Sequence, residues 1–244
     1  MQVRIYNTAL ESGKAAAKYT AEILAKAINK NGAANIILAT GTSQFEILNQ
    51  LIKADVDWNK VTMFHLDEYI SLPATHAASF RKYLQERFIS KVDLKDAYLI
   101  NGEKNPEQER NRLNEIILKH PVDVALVGIG ENGHLAFNDP PADFKTEEPY
   151  IIVELDDACR QQQMNEGWFQ SIDEIPAKAI SMSVKQIMKS KNIVCSVQGK
   201  RKAAAVKNCL GNSVNNLYPA SILQTHTNCI IYLDKDAASL LSHP

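Results

Sequence analysis

Neither sign of charge prevails in this chain: 27 lysines and arginines stand against 28 aspartates and glutamates, a formal net charge of −1. No long basic block breaks that balance, so nothing points to nucleic acid or an anionic membrane as a partner. Long apolar runs are missing too. No stretch approaches the roughly 20 residues of a membrane span, and the start Met1-Gln2-Val3-Arg4-Ile5-Tyr6 reads as a strand rather than a signal core. A cytoplasmic protein is expected. Cysteine is scarce: Cys159, Cys195, Cys209 and Cys229 are widely spaced without a C-x-x-C pair, which leaves buried free thiols as the reading. His65, His76, His134 and His226 are scattered, and none has a histidine four residues away, so no metal set is expected. What remains suits one large core: 244 residues, 45% hydrophobic and 23% charged, fit a single domain over 1–244.

Strand-like and helix-like segments alternate along that length, the pattern of βαβ units. An alanine-rich helix is predicted over 12–29, stopping at Asn31-Gly32, then a strand at 36–39 and a helix from about 44 to 53. Further strands are expected at 61–66, near Tyr98-Leu99, at 122–127, 151–153, 180–184, 192–197 and 229–233. Helices are expected at 79–88, 106–119 and 200–210, the second opening on a proline. No repeat, low-complexity tract or linker marks a boundary. The fold class is therefore α/β: a doubly wound, mainly parallel open sheet flanked by helices in a Rossmann-like three-layer arrangement.

Three loops at predicted strand ends carry chemistry. The run Val127-Gly128-Ile129-Gly130-Glu131-Asn132-Gly133-His134-Leu135-Ala136-Phe137-Asn138-Asp139-Pro140 ends a buried strand in a glycine-spaced turn. Glycines there permit positive φ and close approach of backbone N–H groups to a ligand, and His134 can take and give protons near neutrality. The G-x-G-x-x-G spacing is not a dinucleotide fingerprint, because Pro140-Pro141 forbids the helix that should follow. Thr40-Gly41-Thr42-Ser43 lies between a strand and a helix start, where backbone donors, hydroxyls and the helix dipole suit phosphate, or where a hydroxyl simply caps the helix. Asp67-Glu68, flanked by Leu66 and Tyr69, is a carboxylate pair whose mutual repulsion raises one pKa toward a general base's range. In a doubly wound sheet these strand ends open on one crevice. Asp67, His134 and Asp139 beside a phosphate cradle at Ser43 would suit proton shuttling on a phosphorylated sugar.

Over nearly its whole length the chain resembles glucosamine-6-phosphate deaminases, also called glucosamine-6-phosphate isomerases. The resemblance rests on Leu66-Asp67-Glu68-Tyr69, on the 128–140 run, on Lys202-Ala203 after Gly199, and on Tyr218-Pro219-Ala220-Ser221 leading to His226. Sugar lactonases of the same superfamily share the run only as far as Gly133-His134. The resemblance implies conversion of an amino-sugar 6-phosphate and water to a ketose 6-phosphate and ammonium without a cofactor. By matching position it makes Asp67 the base between C2 and C1 and His134 the ring-opening group. Asp139, where the family usually has glutamate, and Asn132 belong to the catalytic set; Gly41, Thr42, Ser43, Glu68, Gly130 and Lys202 are expected at substrate or phosphate. The chain departs from the family at Gly41-Thr42-Ser43-Gln44, usually Gly-Gly-Thr-Pro, and at His65, usually Asn. The family's phosphate-contacting arginine has no clear counterpart after Arg160, leaving Arg160, Lys200 and Arg201 as stand-ins. The end at 239–244 resembles short members without the tail of allosteric hexamers, so a monomer or small homo-oligomer without allostery is expected. Alternatives are an isomerase or deaminase on galactosamine 6-phosphate, a lactone hydrolase, or a non-catalytic sugar-phosphate sensor. Such sensors carry a helix-turn-helix segment, whereas this chain begins with a strand.

Overall fold

The computed structural model describes residues 1–165 and 167–241; Glu166 and the terminal Ser242-His243-Pro244 lie outside them. In chain order the elements are β1 (Gln2–Tyr6), α1 (Ala9–Asn31), β2 (Ala34–Leu38), α2 (Phe45–Leu51), β3 (Val61–His65), β4 (Asp67–Tyr69), α3 (Phe80–Arg87), β5 (Asp96–Tyr98), α4 (Pro106–Ile117) and β6 (Val124–Val127). There follow β7 (Tyr150–Glu154), α5 (Asp157–Asn165), β8 (Lys178–Met182), α6 (Val184–Met188), β9 (Ile193–Val197), α7 (Ala203–Gly211) and β10 (Cys229–Asp234). Local chemistry sets the helix ends. Thr8 caps α1 by accepting from the Glu11 N–H, and Gly32 ends it at φ 77°; Ser79 and Asn105 cap α3 and α4.

Seven strands form an all-parallel sheet in the order β1-β10-β9-β6-β2-β3-β5. Its two faces follow from the period of two along each strand. Ile36 and Leu38 pack with Val61, Met63, Val124 and Leu126 under α1 and α2, while Ile37, Phe64, Ala125 and Val127 point into the core on the other side. Strand order reverses between β2 and β6, and at such a switch point the loops at the carboxyl ends diverge to leave a crevice.

Two features depart from the expected single sheet. The segments predicted as strands at 151–153 and 180–184 pair with each other and with β4 in a separate antiparallel sheet, order β4-β8-β7. The second strand stops at Met182, because Ser183 caps α6 instead. Asp67-Glu68, expected on a loop, is therefore held on a strand. The helix expected at 44–53 is also divided: a 3-10 turn at Thr42–Gln44 precedes α2. No helix among the described residues is long and apolar enough to cross a membrane.

Candidate active site

At the switch point lies an open crevice, where sheets of this kind bind small ligands. Its wall is built from successive strand ends. The loop after β2 supplies Gly41, Thr42 and Ser43, β4 supplies Asp67, the loop after β6 supplies Gly130 and His134, and the turn before α7 supplies Lys202. The crevice expected from the sequence thus brings seven of the predicted residues together.

The histidine is supported from behind. His134 Nδ1 lies 3.1 Å from Asp139 Oδ1. Asn132 joins the two: its Nδ2 donates to Asp139 Oδ1 at 3.1 Å and its Oδ1 accepts the His134 N–H at 3.0 Å. Neither Asn132 nor Asp139 is on the cavity wall, so their contact with the cavity runs through His134. Burial opposes ionisation of Asp139, but the His134 hydrogen bond and charge, with the Asn132 amide, outweigh it and hold the carboxyl below its ordinary value. Of the glycines in this loop only Gly133 takes positive φ, at 88°. Gly130 is needed for proximity, since a methyl group there would overlap the His134 ring. The rest of the loop is stapled to the second sheet: Asn138 Nδ2 donates to the Leu135 carbonyl at 2.7 Å and the Met182 carbonyl at 2.9 Å, and Ser181 Oγ accepts the Phe137 N–H. Ala136, on the cavity wall, is forced to φ 53°, a strained value for a residue with a side chain. The Tyr218-Pro219-Ala220 run braces the loop from below through the Ala220 N–H to the Gly133 carbonyl.

Asp67 is buried, and burial raises its pKa to about 8, with the neighbouring Glu68 and then Asp139 adding to the effect and the Phe137 N–H partly opposing it. Glu68 departs from its expected place at the substrate. It is fully buried and turned away from the cavity. Its carboxylate accepts the N–H groups of Tyr69, Phe80 and Arg81 and the Ser79 hydroxyl, with Arg81 Nε 3.4 Å away. Alternation explains this: in β4, Asp67 and Glu68 project to opposite faces. Burial raises the Glu68 pKa despite those bonds.

Ser43 does not cap a helix. Its Oγ accepts from Gln44 Nε2 at 3.2 Å, and the same amide reaches the carbonyls of Val127 and Ser196. Lys202 is the cationic side chain on the wall among the described residues. The proposed stand-ins lie elsewhere: Arg160 Nη2 donates to the Ile172 carbonyl at 2.7 Å, Arg201 faces Glu131, and Lys200 is exposed. His65 is likewise not on the wall; it is buried beneath the site, where burial lowers its pKa to about 3 and keeps it neutral.

Sequence reasoning missed α5, which brings Gln162 and Gln163 to the wall. It also missed Cys159 on that helix, whose Sγ with His134 and Asp139 forms a group of ligand atoms within 4.8 Å of one another. Burial and then the Asp139 charge push the Cys159 thiol well up, which leaves it a neutral thiol beside the His134–Asp139 pair. All four cysteines are free and buried.

Known proteins resemble the chain over nearly its whole length. Residues 7–232 match the family described as glucosamine-6-phosphate isomerases/6-phosphogluconolactonase. The glucosamine-6-phosphate deaminase of Lacticaseibacillus paracasei is 36% identical over 99% of both chains. That of Lactococcus lactis subsp. cremoris is 37% identical over 99% of this chain and 100% of its own. A solved monomeric glucosamine-6-phosphate deaminase superposes with a TM-score of 0.89 at 32% identity, covering 99% of this chain and 100% of that one. A 6-phosphogluconolactonase from Thermotoga maritima shares the fold alone, at 13% identity and a TM-score of 0.78 over 96% of this chain and 98% of its own. The chain belongs to the family of glucosamine-6-phosphate isomerases and 6-phosphogluconolactonases.

Proposed function

We propose that this chain converts glucosamine 6-phosphate and water to fructose 6-phosphate and ammonium. One observation carries the reading: a carboxyl with its pKa near 8 and a histidine backed by a carboxylate share the wall of one cavity with two hydroxyls and a lysine. Full-length similarity to deaminases supports the same substrate.

In this reading the Thr42 and Ser43 hydroxyls, backbone N–H groups and Lys202 hold the phosphate. His134 moves a proton from the anomeric hydroxyl to the ring oxygen, opening the ring to the aldehyde, while Asp139 and Asn132 fix the imidazole's orientation. Asp67 then takes the proton from C2. The substrate's ammonium passes a proton to the aldehyde oxygen as the enolamine forms, and Asp67 returns the C2 proton to C1, leaving an iminium at C2. Water adds there, and the amine departs as ammonium with a proton, giving the ketone. The base must be ionised to start. An ammonium group on the incoming substrate favours ionisation of a carboxyl nearby, so binding itself prepares Asp67. No cofactor enters this scheme. The reading makes a phosphorylated sugar the partner, in a cytoplasmic setting consistent with the free thiols.

The test is to incubate the purified protein with glucosamine 6-phosphate and assay ammonium and fructose 6-phosphate, with galactosamine 6-phosphate and 6-phosphogluconolactone in parallel. Equal amounts of both products are expected. If they are absent while the epimer or the lactone turns over, the substrate is misassigned.

A further inference from the structure

One polar side chain on the cavity wall has no hydrogen-bond partner among the described residues and no part in the chemistry above. Gln163 lines the cavity and is 6% exposed, yet among the described residues its amide makes no hydrogen bond. Its neighbours on α5 are committed. Gln162 Oε1 accepts the Glu131 N–H at 2.7 Å, tying the helix to the catalytic loop. Arg160 turns away to the Ile172 carbonyl, with Nη1 3.6 Å from Asp157. With no partner among the described residues, the amide of this cavity-lining side chain is free to exchange water for a ligand group.

We propose that Gln163 is a specificity-determining residue whose amide hydrogen-bonds a hydroxyl of the sugar chain. This rests on the sugar-phosphate reading and deepens it. The amide offers both donors and an acceptor. A phosphate only accepts, so it would leave the amide oxygen facing negative charge; a hydroxyl both gives and takes. The substrate narrows the choice further. C1, C2 and the ring oxygen belong to Asp67 and His134, and the phosphate on C6 belongs to Thr42, Ser43 and Lys202. The hydroxyls on C3 and C4 have no other assigned partner, and a neutral polar side chain on the same wall as the acid/base pair and the cation matches them.

The experiment compares wild type with Gln163→Met, which keeps length and removes hydrogen bonding, on glucosamine 6-phosphate and its 3-deoxy and 4-deoxy analogues. In the wild type, removing the hydroxyl that Gln163 reads should lower kcat/KM by about ten- to a hundredfold. Gln163→Met should lose a similar factor on the full substrate and pay no further penalty for one of the two analogues. Inhibition by inorganic phosphate should be unchanged. The proposal is overturned if the variant keeps wild-type kcat/KM on the full substrate, or pays both deoxy penalties in full. Weakened phosphate inhibition also overturns it, since that assigns Gln163 to the phosphate. Gln163→Asn supplies a second variant if methionine impairs folding. Wild-type turnover of glucosamine 6-phosphate in the same assay separates failure of this assignment from failure of the substrate reading.

Discussion

Replacing Asp67 by asparagine should stabilise the protein, and by an amount that grows with pH. The carboxyl ionises near 3.8 when unperturbed and near 8 in the folded site, because burial and the Glu68 charge disfavour the anion. Between those limits the folded state holds a proton that the unfolded chain releases. Stability therefore falls as pH rises through the window, and the loss is complete above about pH 8. At 1.36 kcal/mol per pH unit the full loss is on the order of 5 kcal/mol, a ceiling set by the burial of one carboxylate. Asparagine has nearly the same shape and cannot ionise. The difference between variant and wild type tracks this group together with Glu68 and Asp139, the carboxyls coupled to it. In a domain of this size each kcal/mol moves Tm by roughly 2–4 °C, so Asp67→Asn should gain about 10 °C on wild type between pH 5 and pH 9. Thermal melts across that range, read by circular dichroism, make the comparison. A Tm difference that stays constant with pH would refute the raised pKa, and with it the idea that a buried carboxyl is retained here at a cost to stability.

Three further outcomes follow from the same geometry. Asp139→Asn leaves His134 in place but removes the charge 3.1 Å from its Nδ1; kcat should fall roughly a hundredfold with little change in KM, and steady-state kinetics separate the two. Gly130→Ala should displace the imidazole and cost most of the activity, while the melting curve moves far less than the rate. Arg81→Ala strips the buried Glu68 carboxylate of its guanidinium partner and should destabilise the fold by about 3–5 kcal/mol, measured as a lower midpoint in urea.

The parts of the fold that depend on local pattern were legible in the sequence. The glycine-and-proline run 128–140 predicts a turn rather than a helix, and the apolar segments around it alternate with helices, as a parallel sheet requires. Asn31-Gly32, Pro106 and Ser79 mark helix ends through chemistry confined to a few residues. What was not legible depends on distant partners. The three residues of β4 form a strand only because Ser181, Ile180 and Ala179 lie opposite them, and no period is visible in three residues. That pairing turns Asp67 toward the cavity and Glu68 toward the start of α3, so two adjacent carboxylates of equal promise in sequence have unlike roles. The polar helix α5 carries too few apolar residues to announce a buried face, yet it buries Cys159, Gln162 and Gln163. The three cations offered as phosphate partners looked equivalent until Arg160 and Arg201 were seen to face Ile172 and Glu131.

The central claim is that Asp67 carries the proton between C2 and C1 of a bound sugar phosphate. It is tested most directly by measuring, on one preparation of Asp67→Asn, both ammonium release from glucosamine 6-phosphate and binding of that substrate by calorimetry. The account predicts turnover lowered by at least about a hundredfold with binding retained. Turnover at the wild-type rate would contradict it.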